Sequence, residues 1–261
     1  MLTDAHCHLH HRAFDADLSQ VLTASRQAGV DRWVVPAMQA ADWSKLLQMP
    51  PQIPGLFVCL GLHPCWSEQH QPEDLVRLES LLTTQPDVLA IGETGLDFHV
   101  ARTPVQQAQQ WHWLQAQVEL ARRFDLPLVL HARQAMEPLL QFMQKQALPA
   151  GGLVHAFSGS VQQAQAWWAL GFRLGLGGAL TYPRAQRLRR VATELPVDAL
   201  LLETDSPDMP LQGYQGQRNE PARLPQVLQV LADLRRTPKA ELIPQLASNL
   251  VATFPRIQRT H

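Results

Sequence analysis

The chain has 261 residues, of which 46% are hydrophobic and 17% charged, so it can build one large α/β barrel or two small domains and is not expected to be disordered. Its formal net charge of −1 argues neither for nor against a nucleic-acid partner. No apolar run approaches the ~20 residues that a membrane helix needs and no secretory signal is visible, so we expect a cytoplasmic protein without a membrane partner.

Short apolar segments alternate with longer helical patterns along the chain. The predicted strands comprise residues 2–6, 32–36, 56–61, 88–93, 127–131, 153–156, 172–177 and 199–204. Between them, apolar residues repeat at helical spacing. In one predicted helix Val161, Ala164 and Trp168 share a face, Ser160 is the N-cap and Gly171 follows the last turn.

A strand followed by a helix, repeated eight times in one chain, is typical of an α/β fold of the (β/α)8 TIM-barrel type. An open, doubly wound sheet is the alternative. No glycine-rich dinucleotide fingerprint follows a predicted strand, and no phosphate-cradling Walker loop is present. No repeat, linker or low-complexity segment interrupts the pattern, so we expect one TIM-barrel domain over residues 1–261.

Two smaller features concern the cysteines and a basic cluster. Cys7, Cys59 and Cys65 are odd in number and widely spaced, which indicates reduced thiols rather than a disulfide framework. The arginines predict either a solvated helix face or a site for phosphate. They are Arg184, Arg187, Arg189 and Arg190.

Six of the predicted strands end in side chains that can bind a metal or transfer a proton. The first strand leads into His6 and His8, which point the same way because side chains two residues apart in a strand lie on one face. The other five strands deliver His63, Glu93, His131, His155 and Asp205. In a TIM barrel the carboxyl ends of the strands form the mouth, where catalytic groups lie.

Each of these side chains has an ordinary structural explanation when it is taken singly. Together, however, such groups buried at one end of a barrel without counter-charges would cost on the order of several kcal/mol per unpaired ion. A pair of divalent cations removes that cost. Imidazole and carboxylate ligands suit zinc most naturally, with manganese, iron, cobalt or nickel as alternatives; magnesium is less natural and calcium does not fit.

The residues lie in motifs that resemble those of the TatD family, which comprises metal-dependent deoxyribonucleases and related hydrolases of the amidohydrolase superfamily. The motifs are Asp4-Ala5-His6-Cys7-His8-Leu9, Gly61-Leu62-His63-Pro64, Ile91-Gly92-Glu93-Thr94-Gly95-Leu96-Asp97, Leu126-Pro127 with His131, His155-Ala156-Phe157-Ser158-Gly159, Glu203-Thr204-Asp205-Ser206-Pro207, Arg218-Asn219-Glu220-Pro221, and Ser248-Asn249 with Phe254. They occur in order over essentially the whole chain. The stretch 208–217 is less basic than in many members of the family.

The resemblance implies a TIM barrel that holds two divalent metal ions per chain. One ion would be held by His6, His8, Glu93 and Asp205. The second would be held by Glu93 as a bridge together with His131 and His155. The implied reaction is hydrolysis of phosphodiester bonds, most simply as a 3′–5′ exonuclease, with DNA or a small phosphoester as substrate and no obligate protein partner.

Two cations in such a site lower the pKa of a bound water towards about 7, which supplies hydroxide for attack on phosphorus. The predicted catalytic residues are Asp205 as general base, His63 and Glu93. His63 could bond a phosphate oxygen, protonate the leaving alkoxide, or be a structural residue of the turn. Arg133 and Arg218 are candidates for phosphate contacts, because a guanidinium fork fits phosphate oxygens, with surface ion pairing as the alternative.

Two other functions remain open. The first is hydrolysis of a small amide, lactone or ester, since the same metal barrel supports those reactions. Glu93 argues against many relatives of that kind, because several amidohydrolases place a carbamylated lysine at that strand. The second is a non-catalytic metal- or partner-binding protein, which a set of ligand-type side chains with open coordination positions disfavours.

Overall fold

Parallel strands form the centre of the computed structural model, which describes residues 2–148 and 150–258; the predicted domain ends at 1 and 261 lie outside these ranges. The strands are β1 (Leu2–Asp4), β2 (Val30–Pro36), β3 (Leu56–Cys59), β4 (Ile91–Asp97), β5 (Leu128–Arg133), β6 (Gly152–Val154), β7 (Phe172–Leu176) and β8 (Leu200–Leu202). The α-helices of the described ranges are α1 (Leu18–Gln27), α2 (Trp43–Gln48), α3 (Pro72–Thr84), α4 (Pro104–Phe124), α5 (Met136–Met143), α6 (Val161–Ala169), α7 (Gln186–Glu194), α8 (Leu224–Arg235) and α9 (Lys239–Thr253).

The strands neighbour one another in chain order. β1 to β3 form one parallel sheet, and β4 to β8 form another. At one seam Leu60 forms a parallel bridge with Ile91. At the other, the amide of Ala5 donates to the carbonyl of Leu202 at 2.9 Å, beyond the end of the ladders. A doubly wound sheet would place its first strand in the middle of the order, so the TIM-barrel prediction is confirmed.

The core has two layers because strand side chains alternate between faces. Along β2, Trp33 and Val35 belong to a large cluster that includes residues of the surrounding helices, whereas Val34 belongs to a smaller cluster. This second cluster contains residues from most strands and corresponds to the barrel interior. Leu250 of α9 and Phe254 complete it, so the C-terminal part of the chain helps to fill the barrel.

Helix α6 begins and ends as predicted, but its buried tryptophan is a different one. Ser160 caps the N-terminus, and Gly171 adopts a φ of +83° after the last turn. The prediction placed Trp168 on the buried face; Trp168 is 41% exposed, and Trp167 is buried instead. Helical spacing alone hardly shows which of these two tryptophans is buried. The edge-to-face contact of Trp167 with Phe172 of β7, at 5.2 Å between ring centres, distinguishes them.

The predicted strands have the right number and order, but several bounds are shifted. The clearest case is the fourth strand, predicted at 88–93 and observed as β4. Polar residues continue its ladder, because Thr94 pairs with Leu130 and Asp97 with Arg133. Backbone hydrogen bonds do not require apolar side chains, so the hydrophobic pattern predicted the end of this strand too early.

The remaining features of the fold concern the three cysteines and the length of the helices. Cys7, Cys59 and Cys65 are free thiols; the first two are buried and Cys65 is exposed. Within residues 2–148 and 150–258, no helix combines the length and the apolar character needed to cross a membrane.

Candidate metal centre

The carboxyl ends of the strands bring the predicted ligands together. They are His6 and His8 after β1, Glu93 on β4, His131 on β5, His155 after β6 and Asp205 after β8. A cavity of about 710 Å³ opens above them and is lined by all of these residues except the fully buried His6. The structure therefore brings these side chains together at one end of the strands.

Four donor atoms meet on one side of Glu93. The Nε2 atom of His6 lies 3.2 Å from His8 Nε2, 3.2 Å from Glu93 Oε2 and 3.5 Å from Asp205 Oδ1. The Nε2 atom of His8 lies 3.5 Å from both of those oxygens. Ligands 2.0–2.1 Å from a tetrahedral zinc ion are separated by roughly 3.3–3.4 Å. The spacing thus fits a single cation, and Glu93 Oε2 is a buried oxygen without a hydrogen-bond partner among the described residues.

The other oxygen of Glu93 faces a second set of imidazoles. Glu93 Oε1 lies 3.0 Å from His131 Nδ1, 3.2 Å from His63 Nε2 and 3.8 Å from His155 Nε2. Glu93, His131 and His155 form one compact donor group, and His6, His8 and Glu93 form another. The carboxylate of Glu93 is therefore shared between two groups of nitrogen donors, one on each of its oxygens.

Oxygen acceptors fix the tautomers of three histidines. Each acceptor receives a proton from the outer ring nitrogen, which leaves the lone pair of the inner nitrogen facing the cluster. The pairs are His8 Nδ1 with the Pro36 carbonyl at 3.3 Å, His131 Nε2 with Asp97 Oδ2 at 2.9 Å, and His155 Nδ1 with Glu203 Oε1 at 3.2 Å. This is the arrangement that metal-binding histidines need.

Sequence reasoning assigned no role to Asp97 or Glu203, although both stand in quoted motifs. The spacing of Asp97 contains a usable signal, since it lies four residues after Glu93 on β4; Glu203 lies two residues before Asp205, whose φ of +57° departs from extended backbone. Even spacing along an extended chain places side chains on one face. An acidic residue at such a position is a candidate partner for the histidine of the neighbouring strand.

The imidazoles of the cluster keep its acidic groups ionised. Burial disfavours the carboxylate of Glu93, but the imidazoles of His63, His6 and His155 together hold its pKa well below the usual range. The pKa of Asp205 is also lowered, because the combined effect of the neighbouring imidazoles, of which His155 contributes most, outweighs burial. Both carboxylates are therefore available as anionic ligands at neutral pH.

His63 is a neutral hydrogen-bond donor in this arrangement. Burial is the main cause that lowers its pKa to about 4. The amide of Cys65 donates to His63 Nδ1 at 3.0 Å, so the neutral ring carries its proton on Nε2. That nitrogen faces Glu93 Oε1 and belongs to a residue that lines the cavity. A role for His63 in bonding a phosphate oxygen stays a prediction that agrees with this tautomer.

The two arginines predicted to contact phosphate lie in different surroundings. Arg133 lines the cavity, is exposed, and makes no side-chain hydrogen bond or ion pair within the described residues. Arg218 lies outside the cavity lining; its guanidinium bonds both oxygens of Asp17, at 2.9 and 2.6 Å, and Glu220 Oε1 at 2.8 Å. Arg218 is therefore ion-paired in the structure, as the alternative interpretation predicts, whereas Arg133 is free to reach a substrate. The phosphate role of each remains a prediction.

Glu203 is expected to support metal affinity through His155. Its Oε1 accepts both the His155 ring proton and the amide of Ala156 at 2.6 Å. A Glu203→Gln variant keeps the shape but removes the charge that makes the imidazole a strong ligand. We expect metal affinity, measured by competition with a chelator, to fall about 10–100-fold. A Glu73→Gln variant on the exposed start of α3 should leave it unchanged; unaltered affinity in Glu203→Gln would contradict the assignment.

Gly175 of β7 makes room for the Glu203 carboxylate. A Cβ atom at Gly175 would lie 2.1 Å from Glu203 Oε2, whereas one at Gly177 would meet nothing closer than 3.4 Å. We expect Gly175→Ala to lower the free energy of unfolding by about 1–3 kcal/mol, measured by urea denaturation. Gly177→Ala should change it by no more than about 0.5 kcal/mol. Equal stabilities of the two variants would show that Glu203 is not confined by this contact.

Comparisons with known proteins agree with this fold and donor set. The family model described as TatD related DNase matches residues 3–255. The metal-dependent hydrolase YjjV of Escherichia coli strain K12 is 42% identical over 252 residues, 96% of each chain, and the human deoxyribonuclease TATDN3 is 31% identical, covering 98% of this chain and 96% of that one. A crystal structure of the TatD homologue YjjV from E. coli K12 superposes with a TM-score of 0.93 at 40% identity, covering 97% of this chain and 98% of that one.

The family model extends over nearly the entire chain, and the two relatives cover 96% and 98% of it. The candidate metal-binding groups supply the chemistry that the name metal-dependent hydrolase requires. This chain therefore belongs to the family of TatD-related DNases and is a metal-dependent hydrolase.

Proposed function

We propose that the chain hydrolyses phosphodiester bonds of DNA with two divalent ions, of which zinc is the preferred candidate. The observation that carries this proposal is the position of Glu93, whose two oxygens face separate sets of imidazoles. The first ion would be held by His6, His8, Glu93 and Asp205, and the second by Glu93, His131 and His155. When bound, such ions lower the pKa of water and offset negative charge on phosphate oxygens.

The side chains around the cavity have distinct roles in this proposal. Asp205 is the general base: its carboxylate is ionised, lines the cavity, and accepts the proton of the attacking water. His63 donates its Nε2 proton in a hydrogen bond to a non-bridging phosphate oxygen. Arg133 contacts a phosphate next to the cleaved bond, where its guanidinium can form two parallel hydrogen bonds.

The DNA substrate and the direction of attack are inferred from relatives. Human TATDN3, which matches 98% of this chain, is named a deoxyribonuclease. The TatD resemblance adds a 3′–5′ exonuclease activity as the simplest form of that reaction. The cavity alone does not select a polymer, because about 710 Å³ also suits a small molecule. Hydrolysis of a small amide, lactone or ester is therefore the competing function.

The test uses single-stranded DNA labelled at either end. We expect metal-loaded protein to shorten 5′-labelled DNA stepwise from its 3′ end and to release the label of 3′-labelled DNA as a mononucleotide. A chelator should abolish both reactions, and added zinc or manganese should restore them. A panel of amides, lactones and phosphoesters is assayed in parallel.

Each outcome assigns a function. Stepwise shortening that depends on metal supports the exonuclease, and random internal cuts would replace exonuclease by endonuclease. Activity confined to amides or lactones would overturn the phosphodiesterase proposal. No activity on any substrate, with metal tightly bound, would favour a binding protein.

A further inference from the structure

A second, shallower cavity of about 380 Å³ adjoins the cavity of the metal centre. Met209 lines both of them, four residues after Asp205 in the chain. The rest of the second cavity includes Tyr182, Arg184 and Pro210. A substrate longer than the first cavity can therefore continue across Met209 into this second one, which no part of the proposed reaction uses.

The floor of the second cavity is held in place by hydrogen bonds. The hydroxyl of Tyr182 donates to the Pro210 carbonyl at 2.9 Å, and the amide of Gln212 donates to Thr181 Oγ1 at 2.8 Å. A Cβ atom on Gly178 would lie 2.2 Å from the Met209 carbonyl oxygen, so the two backbones approach closely. The ring of Tyr182 is thus positioned before any ligand arrives.

The charge beside this ring is positive and unpaired. The guanidinium of Arg184 lies 5.1 Å from the centre of the Tyr182 ring. Arg184 is exposed, as is Arg187 at the start of α7, and neither side chain forms an ion pair within the described residues. Arg190 differs, because it is paired with Glu194 at 3.0 Å. Arg184 is therefore the arginine of the predicted basic cluster that both lines the second cavity and is free to meet a phosphate.

One acidic side chain limits where a phosphate can lie. Asp208 is exposed and lines the first cavity next to Met209. Its carboxylate repels a phosphate at that point, so the favourable positions are the metal centre on one side and the arginines on the other. A single-stranded nucleic acid, which carries phosphates at intervals with flat bases between them, is complementary to this arrangement of cationic and stacking groups.

We propose that Tyr182 and Arg184 form a subsite for single-stranded nucleic acid that extends beyond the cleaved linkage. A base stacks on the paired tyrosine ring and guanidinium plane, and a phosphate contacts Arg184. The inference rests on the proposed phosphodiesterase function. It deepens that function by assigning a preference for single-stranded nucleic acid over small phosphodiesters.

The experiment compares a long substrate with short ones. Initial rates are measured on single-stranded DNA of about 12 nucleotides, on a dinucleotide and on a chromogenic phosphodiester. For Arg184→Ala and Tyr182→Ala we expect kcat/KM on the long substrate to fall at least about fivefold, mostly through KM. On the two short substrates it should stay within about twofold. The salt dependence of KM should also weaken in Arg184→Ala.

Matched variants serve as controls. Arg190→Ala removes a paired arginine of α7, the helix that begins two residues after Arg184, and Tyr182→Phe removes the hydroxyl but keeps the ring. Arg190→Ala should leave all three substrates unaffected, and Tyr182→Phe should retain most of the preference. Unfolding temperatures of every variant are recorded, and Arg184, which is exposed, offers the variant least able to disturb folding.

The outcomes separate the two proposals. A wild-type protein that cleaves DNA while Arg184→Ala and Tyr182→Ala lose nothing, or lose equally on all substrates, would overturn the subsite and leave the phosphodiesterase intact. A wild-type protein that cleaves no DNA of any length would overturn the proposed function and this subsite with it.

Discussion

A Glu93→Gln variant is expected to lose most of its bound metal and at least about 10²–10³-fold in turnover. One carboxylate serves both donor groups, since Oε2 lies 3.2 Å from His6 Nε2 and Oε1 lies 3.0 Å from His131 Nδ1. An amide has one oxygen and no charge, and its NH2 group would face imidazole nitrogens. Metal per chain is measured by elemental analysis after desalting, together with the rate of DNA shortening.

The control for this variant is Glu241→Gln, which makes the same chemical change on the exposed surface of α9. It should retain full metal content and rate. The unfolding transition of Glu93→Gln is followed by circular dichroism to confirm that the barrel is intact. Two tightly bound ions and near-normal turnover in Glu93→Gln would remove Glu93 from its bridging role.

An Asp205→Ala variant is expected to keep metal but to lose about 10²–10⁴-fold in turnover. His6, His8 and Glu93 remain as three donors, a number that suffices to hold zinc in catalytic sites. What disappears is the ionised carboxylate at the cavity wall that would accept a proton from water. Single-turnover rates on labelled DNA, measured with metal content verified, test the chemical step directly.

Asp208→Ala provides the matched comparison for Asp205→Ala. Asp208 lines the same cavity and lies three residues further along, but its carboxylate is not among the four donor atoms around His6 and His8, to which Asp205 contributes Oδ1. We expect its removal to change the rate by no more than a few-fold. An active Asp205→Ala variant would show that another group accepts the proton; loss of metal in that variant would show that Asp205 acts chiefly as a ligand.

Periodicity and strand ends made much of the architecture predictable. Eight apolar segments alternate with helical patterns, and short parallel strands buried on both faces produce that alternation directly. The ends of the strands were harder to predict, because Thr94 and Asp97 extend β4 through backbone pairing that their polar side chains conceal. Trp167 and Trp168 show the same limit in a helix, where a contact with Phe172 determines which ring is buried.

Residues of the candidate centre differ in how far the sequence predicted them. His6 and His8 stand two apart in one segment, so their convergence follows from local geometry alone. Asp97 and Glu203 were harder to assign, because their partners His131 and His155 lie 34 and 48 residues away in the chain. Arg218 shows the opposite case: its type suits phosphate, but Asp17, 201 residues away, meets its guanidinium in the fold.

The sequence by itself determined the barrel class, the order of its strands and the set of imidazoles and carboxylates at their ends, because local periodicity and residue chemistry are properties of short segments. Only the tertiary structure decided which atoms meet. It placed one oxygen of Glu93 in each donor group, oriented the imidazoles through Asp97 and Glu203, and joined the metal cavity to that of Tyr182 through Met209. These contacts depend on how distant strands and loops pack against one another, and distances of that kind are set by the whole fold rather than by neighbouring residues.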